Sequence, residues 1–256
     1  MHNLKAGLRS LRAGAGHARR QYGTFRRHER LRRERDAAYA AYSGRSPKCL
    51  HLGAELFSLP NWFNTDLDPR GEGIYYLDAT RPFPFPSSSF DFIFSEHMIE
   101  HISFVEGLKL LAECRRILRP GGVVRAATPN LRTILALIAD SDGNEAYLRW
   151  AVQEFNLPKA PFPKAPGVIN NFFRAWGHQF IYDPEVLRKA MEQAGFGEIV
   201  QCEVGASRHL LLQGLERHGQ RWTEWINKFE TMVFEGTVPG TVDPTASTQT
   251  ELAGKV

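Results

Sequence analysis

Residues 90–130, FDFIFSEHMIEHISFVEGLKLLAECRRILRPGGVVRAATPN, contain the pattern that decides the fold. Apolar runs predict strands at 90–94 and 123–128, and the segment between them predicts a helix that ends at Pro120-Gly121-Gly122. Parallel strands joined by a helix bring their carboxyl ends to one edge of a sheet, where ligands bind in open α/β proteins. The polar corner Ser95–His101 is therefore expected at a ligand site.

The rest of the chain repeats this alternation of strands and helices. Further strands are predicted at 48–52, 62–65, 74–77, 198–204 and 231–236. Helices are predicted at 103–118, 131–139, 183–194 and across most of 207–229. Four prolines in 140–180 predict an irregular insertion, because proline removes a backbone donor. The order of elements predicts the α/β class with a mostly parallel sheet.

Charge divides the chain into a basic beginning and an acidic body. Residues 1–48 carry 13 basic and 3 acidic residues, a net charge of +10, whereas the remaining 208 carry 19 and 25, a net of −6. We predict a basic arm and linker over 1–47, a domain over 48–236 that contains the insertion, and a disordered tail over 237–256. The arm is interpreted as solvated or disordered. A sparse apolar stripe leaves open a helix on an anionic membrane or on RNA.

Cysteine usage and hydropathy bear on the compartment. The three cysteines are widely spaced and form no CxxC pair, which favours a reducing compartment over a disulfide framework. No apolar run approaches the roughly 18–20 residues that span a bilayer. A signal peptide is not expected, because the basic start lacks an apolar h-region. We expect a cytoplasmic protein, with the arm as a means of peripheral contact at the inner membrane face.

Three residues follow the first three predicted strands and point to a nucleoside. Gly53 after strand one allows a ligand to approach the backbone closely. Asp66 after strand two can accept hydrogen bonds from both ribose hydroxyls, and Asp78 after strand three can accept one from an adenine amino group. Each also has a purely structural interpretation as a turn former.

Taken in order, the segments LHLG, NTDLDP, YLDATRPFPFPSSSFDFIFSEHMIEH and ILRPGGVVRAATPN resemble a class I S-adenosylmethionine-dependent methyltransferase. The resemblance covers about residues 48–236. It is closest to the bacterial predicted methyltransferases that accompany surface-polysaccharide genes. It implies a Rossmann-like, seven-stranded, mostly parallel sheet with helices on both faces, and S-adenosylmethionine as the cofactor.

The resemblance also implies roles for residues at the strand ends. Gly53, Ala54 and Glu55 would face the methionine moiety, and Ser95 would lie near it. Asp66 would bind the ribose and Leu67 the adenine face. Asp78 and Ala79 would bind the adenine.

One position departs from the family pattern. The first loop usually reads G-x-G, whereas here it reads Gly53-Ala54-Glu55. A glutamate at the second glycine adds a side chain and a negative charge beside the cofactor's carboxylate. This change predicts weaker cofactor binding unless Glu55 turns towards the ammonium or sulfonium group.

Histidines supply the candidate catalytic groups. His97, His101 and His178 are each able to act as a base near neutral pH for a hydroxyl acceptor. His97-x-x-Glu100-His101 also resembles the E-x-x-E-H element of some metal-assisted O-methyltransferases, with His97 at the first glutamate position. There His178 could supply a fourth ligand to a divalent metal. The interpretation without a metal is favoured, with His101 capping or packing beneath the cofactor.

The expected function is methyl transfer from S-adenosylmethionine to a small molecule or glycan, at oxygen. The amides, aromatics and cation of residues 170–178 suit a polar ring-shaped acceptor. One alternative is an RNA methyltransferase that uses the basic arm, although the acidic body makes nucleic acid an unfavoured partner. A second is a methyltransferase-fold binding protein that has lost its cofactor because of Glu55.

Overall fold

The computed structural model describes residues 26–140, 142–158, 164–218 and 223–240. The helices are α1 (26–42), α2 (Phe104–Ile117), α3 (Leu131–Ala139), α4 (Glu145–Glu154), α5 (Lys164–Arg174), α6 (Pro184–Gln193) and α7 (Glu224–Glu230). The strands are β1 (Cys49–Leu52), β2 (Phe63–Asp66), β3 (Ile74–Tyr76), β4 (Phe90–Glu96), β5 (Leu118–Pro129), β6 (Gly197–Cys202) and β7 (Thr231–Thr237).

All seven strands form one sheet in the order β3-β2-β1-β4-β5-β7-β6. Strands β1 to β5 pair in parallel, and β7 runs antiparallel to both β5 and β6. The α/β class and the seven-stranded, mostly parallel sheet are therefore confirmed. The carboxyl ends of β1, β2 and β4 meet at one edge, as the chain order predicted.

Local capping signals set the helix boundaries. The Ser103 hydroxyl accepts a hydrogen bond from the Glu106 N–H, and the Glu106 carboxylate accepts one from the Ser103 N–H, which completes the predicted capping box of α2. Asp183 caps α6 and proline follows at its first turn. These two helices pack against each other, and α2 also contacts β5 while α6 contacts β6 and β7, so local capping fixes the ends of the helices that cover this face of the sheet.

The two faces of the sheet pack against different parts of the chain. One face, which includes Leu50 and Leu52, shares a core with α1, α2 and α6. The opposite face, which includes Cys49 and Phe94, packs against Leu212 and Leu215. Residues 203–217, which cover this face, contain one short 3₁₀ turn rather than the predicted long helix. The prediction that 207–229 is mostly helical is wrong for its first part.

The predicted boundary at residue 47 is wrong for residues 26–42, which form α1 and belong to the domain. Tyr39 packs against the main core, and Tyr42 is buried in it. The Tyr42 hydroxyl accepts a hydrogen bond from the Cys49 N–H at 2.8 Å. Within the described residues of α1, the apolar side chains of Tyr39 and Tyr42 therefore face the sheet, and the exposed basic side chains remain available for the predicted peripheral membrane contact.

The predicted irregular insertion at 140–180 contains α4 and α5. These helices form a second core with α3 and α7, built around Tyr147, Val168 and Ile226. Four buried apolar positions in each helix outweigh the four prolines, because the prolines fall before or inside the first turn of α5. The insertion is thus a packed cap beside the carboxyl edge of the sheet.

At the other end of the domain, β7 continues to Thr237, and Val238 is buried and exchanges backbone hydrogen bonds with Gly121 and Gly122. The domain therefore extends past the predicted limit of 236. Residues 1–25 of the predicted arm and residues 241–256 of the predicted tail lie outside the described residues. Among the described residues, no helix has the length and apolarity needed to cross a lipid bilayer.

Candidate active site

A cavity of about 620 Å³ opens at the carboxyl edge of β1, β2 and β4, beneath the cap. It is lined by ten of the eleven residues that the sequence singled out: Gly53, Ala54, Glu55, Asp66, Leu67, Asp78, Ala79, His97, His101 and His178. Phe155, Phe172 and Trp176 of the cap supply an aromatic wall. The same cavity is therefore lined by the carboxylates predicted to bind a nucleoside and by the three candidate catalytic histidines.

Ser95 does not line this cavity. Its side chain is buried within β4, whereas its neighbours Phe94 and Glu96 both line the cavity. Side chains alternate between the two faces of a strand, so a residue between two cavity-lining positions directs its side chain away from the cavity. The position of Ser95 near the methionine moiety stays a prediction, and only its backbone is placed to meet a ligand in the cavity.

The loop after β1 is locked to the end of β2. Gly53 has φ +72°, and a Cβ there would lie 2.7 Å from the Met98 side chain. The Ala54 N–H donates to the Thr65 carbonyl at 3.0 Å, and the Glu55 N–H donates to Asp66 Oδ2 at 2.9 Å. Glycine at 53 is thus required by both backbone conformation and space, and the loop has the close backbone approach that a ligand would use.

The two strand-end carboxylates are held by backbone and side-chain donors. Asp66 accepts from Glu55 N–H and, through Oδ1, from Asp68 N–H at 2.8 Å. Asp78 Oδ1 accepts from the N–H and hydroxyl of Thr80 at 3.0 and 2.6 Å. A carboxylate offers about four acceptor sites, so both groups retain capacity for ligand donors. The geometry fits ribose and adenine recognition, which remains a prediction for these residues.

His97 is held in a left-handed conformation at the end of β4, with φ 45°. Its Nδ1 lies 3.2 Å from Glu100 Oε1, its Nε2 lies 3.0 Å from the Thr231 hydroxyl, and its ring stacks on that of His218 at 3.9 Å. Burial disfavours the charged imidazole, but the contact and charge of Glu100 outweigh it and raise the pKa of His97.

Glu100 is a fully buried carboxylate beneath the histidines. The Thr128 hydroxyl donates to its Oε2 at 2.9 Å. Burial opposes its ionisation, but the contact with His97 and the positive charges of His97 and His101 lower the pKa of Glu100. Its ligand atom and those of His101 and His178 all lie within 4.8 Å of one another, a set that could hold a metal ion.

His178 reaches this cluster from the segment after α5. Its Nδ1 lies 2.7 Å from the Phe172 carbonyl, which must accept, so Nδ1 carries the proton and Nε2 keeps its lone pair. Burial lowers the pKa of His178, with Glu100 opposing the shift. The imidazole ring meets that of His101 edge-on at 4.9 Å.

Three residues near the histidines had no signal in the sequence: His218, Glu230 and Tyr147. His218 lines the cavity and contacts Glu230 Oε1 through Nε2 at 3.2 Å, while Tyr147 donates to Glu230 Oε2 at 2.8 Å. Burial lowers the pKa of His218 and raises that of Tyr147. Glu96 fixes this segment by accepting from the N–H groups of Arg217 and His218 at 2.7 and 3.0 Å. No motif links these positions, because tertiary structure alone brings them together.

His51 at the floor of the cavity gives a pH-dependent stability. Asn64 donates its amide to two carbonyls, so its oxygen accepts from His51 Nδ1 at 3.1 Å. Burial lowers the pKa of His51 to about 4, against a partial upward effect of Asn64 and Asp66 and a further lowering by Arg217. The folded state favours the neutral imidazole, so the full folding stability is present above the unfolded pKa of about 6.5. This stability decreases as the pH falls towards 4, because the unfolded chain then binds a proton that the folded protein does not.

Between pH 7 and 4.5, we therefore expect the wild type to lose roughly 2–3 kcal/mol more unfolding free energy than His51→Gln. Glutamine keeps a neutral donor for Asn64 but does not titrate. Urea unfolding of both proteins at the two pH values measures the difference. Equal losses would show that His51 does not titrate below its ordinary range in the folded protein.

A family model described as a methyltransferase domain matches residues 64–126. The match begins in β2, includes Asp66, Asp78 and the corner Ser95–His101, and ends in β5. It thus covers about a quarter of the chain, including two of the three strand ends that form the cavity. No curated protein matched the sequence.

Several solved structures of methyltransferases are similar to this chain at low sequence identity. A methyltransferase from Archaeoglobus fulgidus has 16% identity and TM-score 0.46, with 82% of this chain and 91% of that chain covered. The CurJ carbon methyltransferase has 13% identity and TM-score 0.43. The match covers 77% of this chain and 49% of that chain, so this chain spans about half the length of the CurJ structure. Phosphoethanolamine N-methyltransferase 2 from Haemonchus contortus, in complex with S-adenosyl-L-methionine, has 14% identity and TM-score 0.39. The match covers 80% of this chain and 52% of that chain. Similarities of this size transfer neither substrate nor mechanism.

Proposed function

We propose that the protein is an S-adenosylmethionine-dependent methyltransferase that acts on a small molecule or glycan, at oxygen. The observation that carries the proposal is the single cavity in which Gly53, Asp66 and Asp78 meet three histidines. The match of residues 64–126 to a methyltransferase domain supports the same activity. The bound cofactor would supply an activated methyl group, and the protein would align an acceptor with it.

The strand-end residues fit such a cofactor. Gly53 leaves backbone accessible where any Cβ would meet Met98, and Asp66 and Asp78 present acceptors to hydroxyl and amino donors. The Leu67 side chain is 61% exposed and lines the cavity, as expected for a residue that an adenine ring would cover. Glu55 is exposed at the cavity wall, with its N–H held by Asp66.

The opposite wall supports an oxygen acceptor on a ring-shaped substrate. Trp176 is 47% exposed, meets Phe155 edge-on at 4.8 Å, and lies 5.5 Å from the His178 ring. An aromatic face beside imidazole nitrogens suits a sugar, which has apolar ring faces and hydroxyl edges. Transfer to a hydroxyl also releases a proton, and His97, His101 and His178 provide a nitrogen-rich wall for that step.

Cofactor binding provides the first test. Calorimetric titration should show one S-adenosylmethionine bound per chain, and Asp66→Ala should weaken binding at least tenfold because the ribose loses its acceptor. Asp68→Ala is the matched control, since Asp68 lies two residues further on and pairs at the surface with Arg27 and Arg70. No heat at millimolar ligand would reject the enzyme and favour the cofactor-free binding protein.

The acceptor class is tested with methyl-labelled cofactor. We expect label to pass to nucleotide sugars or lipid-linked glycans. Transfer to RNA instead, with strong salt dependence, would favour the RNA methyltransferase and would contradict the proposed acceptor.

A further inference from the structure

Glu100, His101 and His178 come together from two distant parts of the chain. Glu100 and His101 belong to the 3₁₀ turn after β4, and His178 follows α5 of the cap. Their ligand atoms lie within 4.8 Å of one another. His97, which the sequence placed in the same set, contacts Glu100 through Nδ1 and the Thr231 hydroxyl through Nε2, so both of its ring nitrogens already have partners. The structure therefore defines a cluster of one carboxylate and two imidazoles.

Backbone hydrogen bonds hold the two parts in register. The N–H groups of Gln179 and Phe180 both donate to the Glu100 carbonyl, at 2.7 and 3.2 Å. The Gln179 side-chain amide donates to the His101 carbonyl at 2.8 Å. Three hydrogen bonds thus tie the residues next to His178 to the turn that carries the other two ligands. These hydrogen bonds fix the backbone next to His178 relative to the turn that carries Glu100 and His101.

Each side chain is also oriented by a second contact. His178 donates through Nδ1 to the Phe172 carbonyl, which directs the Nε2 lone pair to the cluster. Glu100 receives the Thr128 hydroxyl on one oxygen, and its other oxygen, which is fully buried, lies 3.2 Å from His97 Nδ1. Carbonyl and hydroxyl partners of this kind orient and strengthen metal ligands in proteins.

We propose that Glu100, His101 and His178 bind one divalent transition-metal ion, such as Zn²⁺. This reverses the sequence-based preference for a site without metal. Two imidazoles and one carboxylate with open positions suit Zn²⁺ or a related first-row ion, whereas Mg²⁺ prefers an all-oxygen set. Ligand atoms about 2.0–2.2 Å from one ion in tetrahedral geometry lie about 3.4 Å apart, so atoms that are now as much as 4.8 Å apart would approach one another by up to about 1.4 Å on binding.

The open side of the cluster faces the cavity, since His101 and His178 line it and Glu100 lies behind them. A bound ion would therefore meet the acceptor and lower the pKa of its hydroxyl, so that less basic groups could take the proton. This catalytic role rests on the proposed methyl transfer to oxygen. Binding of the ion does not, and it is measured without cofactor or acceptor.

The test uses untagged, metal-stripped protein. Calorimetry with Zn²⁺ should give one ion per chain, and Co²⁺ should develop visible absorption bands at the same stoichiometry. His178→Gln should weaken both at least tenfold, and Glu100→Gln should do so too. Mg²⁺ at the same concentration should not compete. His209→Gln is the control, because His209 packs on Phe92 away from the cluster.

Because Glu100 is buried, thermal unfolding checks that Glu100→Gln is folded. His178 is only half-buried, so His178→Gln tests the site with less risk of unfolding the protein. Binding that is absent, or that survives in His178→Gln, would overturn the site. Equal loss in His209→Gln would also overturn it, since binding would then be spread over surface histidines. Failure of S-adenosylmethionine to bind would reject the proposed function but leave the metal result standing.

Discussion

A chain that begins at Lys48, the boundary that sequence composition favours, should be less stable than one that begins at Arg26 by about 5 kcal/mol or more. Helix α1 buries Tyr42 in the core and places Tyr39 within 4.7–5.8 Å of the Phe63, Phe85 and Phe90 rings. Each buried aromatic contributes roughly 1.5–3 kcal/mol, and removal of both also exposes the rings beneath.

Hydrogen bonds add to the loss. The Tyr42 hydroxyl accepts from Cys49 N–H and lies 3.1 Å from the Asn61 carbonyl, to which it can donate. It therefore links α1 to the start of β1 and to the loop before β2. Each such bond is worth about 1 kcal/mol. Since domains of this kind have total stabilities of about 5–15 kcal/mol, the shorter chain should unfold or aggregate at ordinary temperature.

Urea unfolding of the two chains measures the difference. Two substitutions in the longer chain separate packing from hydrogen bonding: Tyr39→Ala should lose about 3 kcal/mol and Tyr42→Phe about 1 kcal/mol. An equal midpoint for both chains would mean that α1 does not stabilise the sheet in solution.

Composition explains why the sequence placed α1 outside the domain. Positions 31, 35, 39 and 42 follow a helical period, but Arg35 occupies one of them, and a stripe with an arginine looks solvated. In the structure Arg35 is only 7% exposed, pairs with Asp36 at 2.8 Å, and approaches the Tyr76 carbonyl. Its long apolar stem packs where a leucine would, so charge count alone gives the wrong boundary.

Strand ends were easier to predict than the cap. Gly53, Asp66 and Asp78 each follow an apolar run, and parallel pairing places them at one edge without further information. His178 came from the composition of its segment, but its approach to Glu100 depends on the hydrogen bonds of the cap. Neither His218 nor Glu230 had a sequence signal, because their partners lie on β4 and α4.

Arg125→Met should destabilise the fold by about 3–5 kcal/mol, although it replaces a polar residue with an apolar one in a buried strand. Arg125 is fully buried in β5, where its guanidinium lies 2.6 Å from both Glu216 and Glu235 and donates to the Ala206 carbonyl at 2.8 Å. Removing the cation leaves two buried carboxylates without compensation.

The size of this effect depends on the charges left behind rather than on the lost contacts. A triple variant, Arg125→Met with Glu216→Gln and Glu235→Gln, should therefore recover more than half of the loss, because no buried charge remains. The stability of Arg125→Lys should lie between those of the wild type and Arg125→Met, since lysine keeps the charge but cannot bind both carboxylates in a fork. Urea unfolding of the three variants gives the order, and a triple variant less stable than Arg125→Met would contradict this account.

The same triad links stability to the site. Glu216 also accepts from the Gly205 N–H at 2.9 Å, so it fixes both ends of the segment that covers one face of the sheet. Arg217 and His218 follow directly and donate their N–H groups to Glu96 at the end of β4. Loss of the Arg125 anchor should therefore release this wall of the cavity. Arg125→Met should weaken S-adenosylmethionine binding at temperatures where the protein is still folded, whereas the triple variant should restore it in parallel with stability.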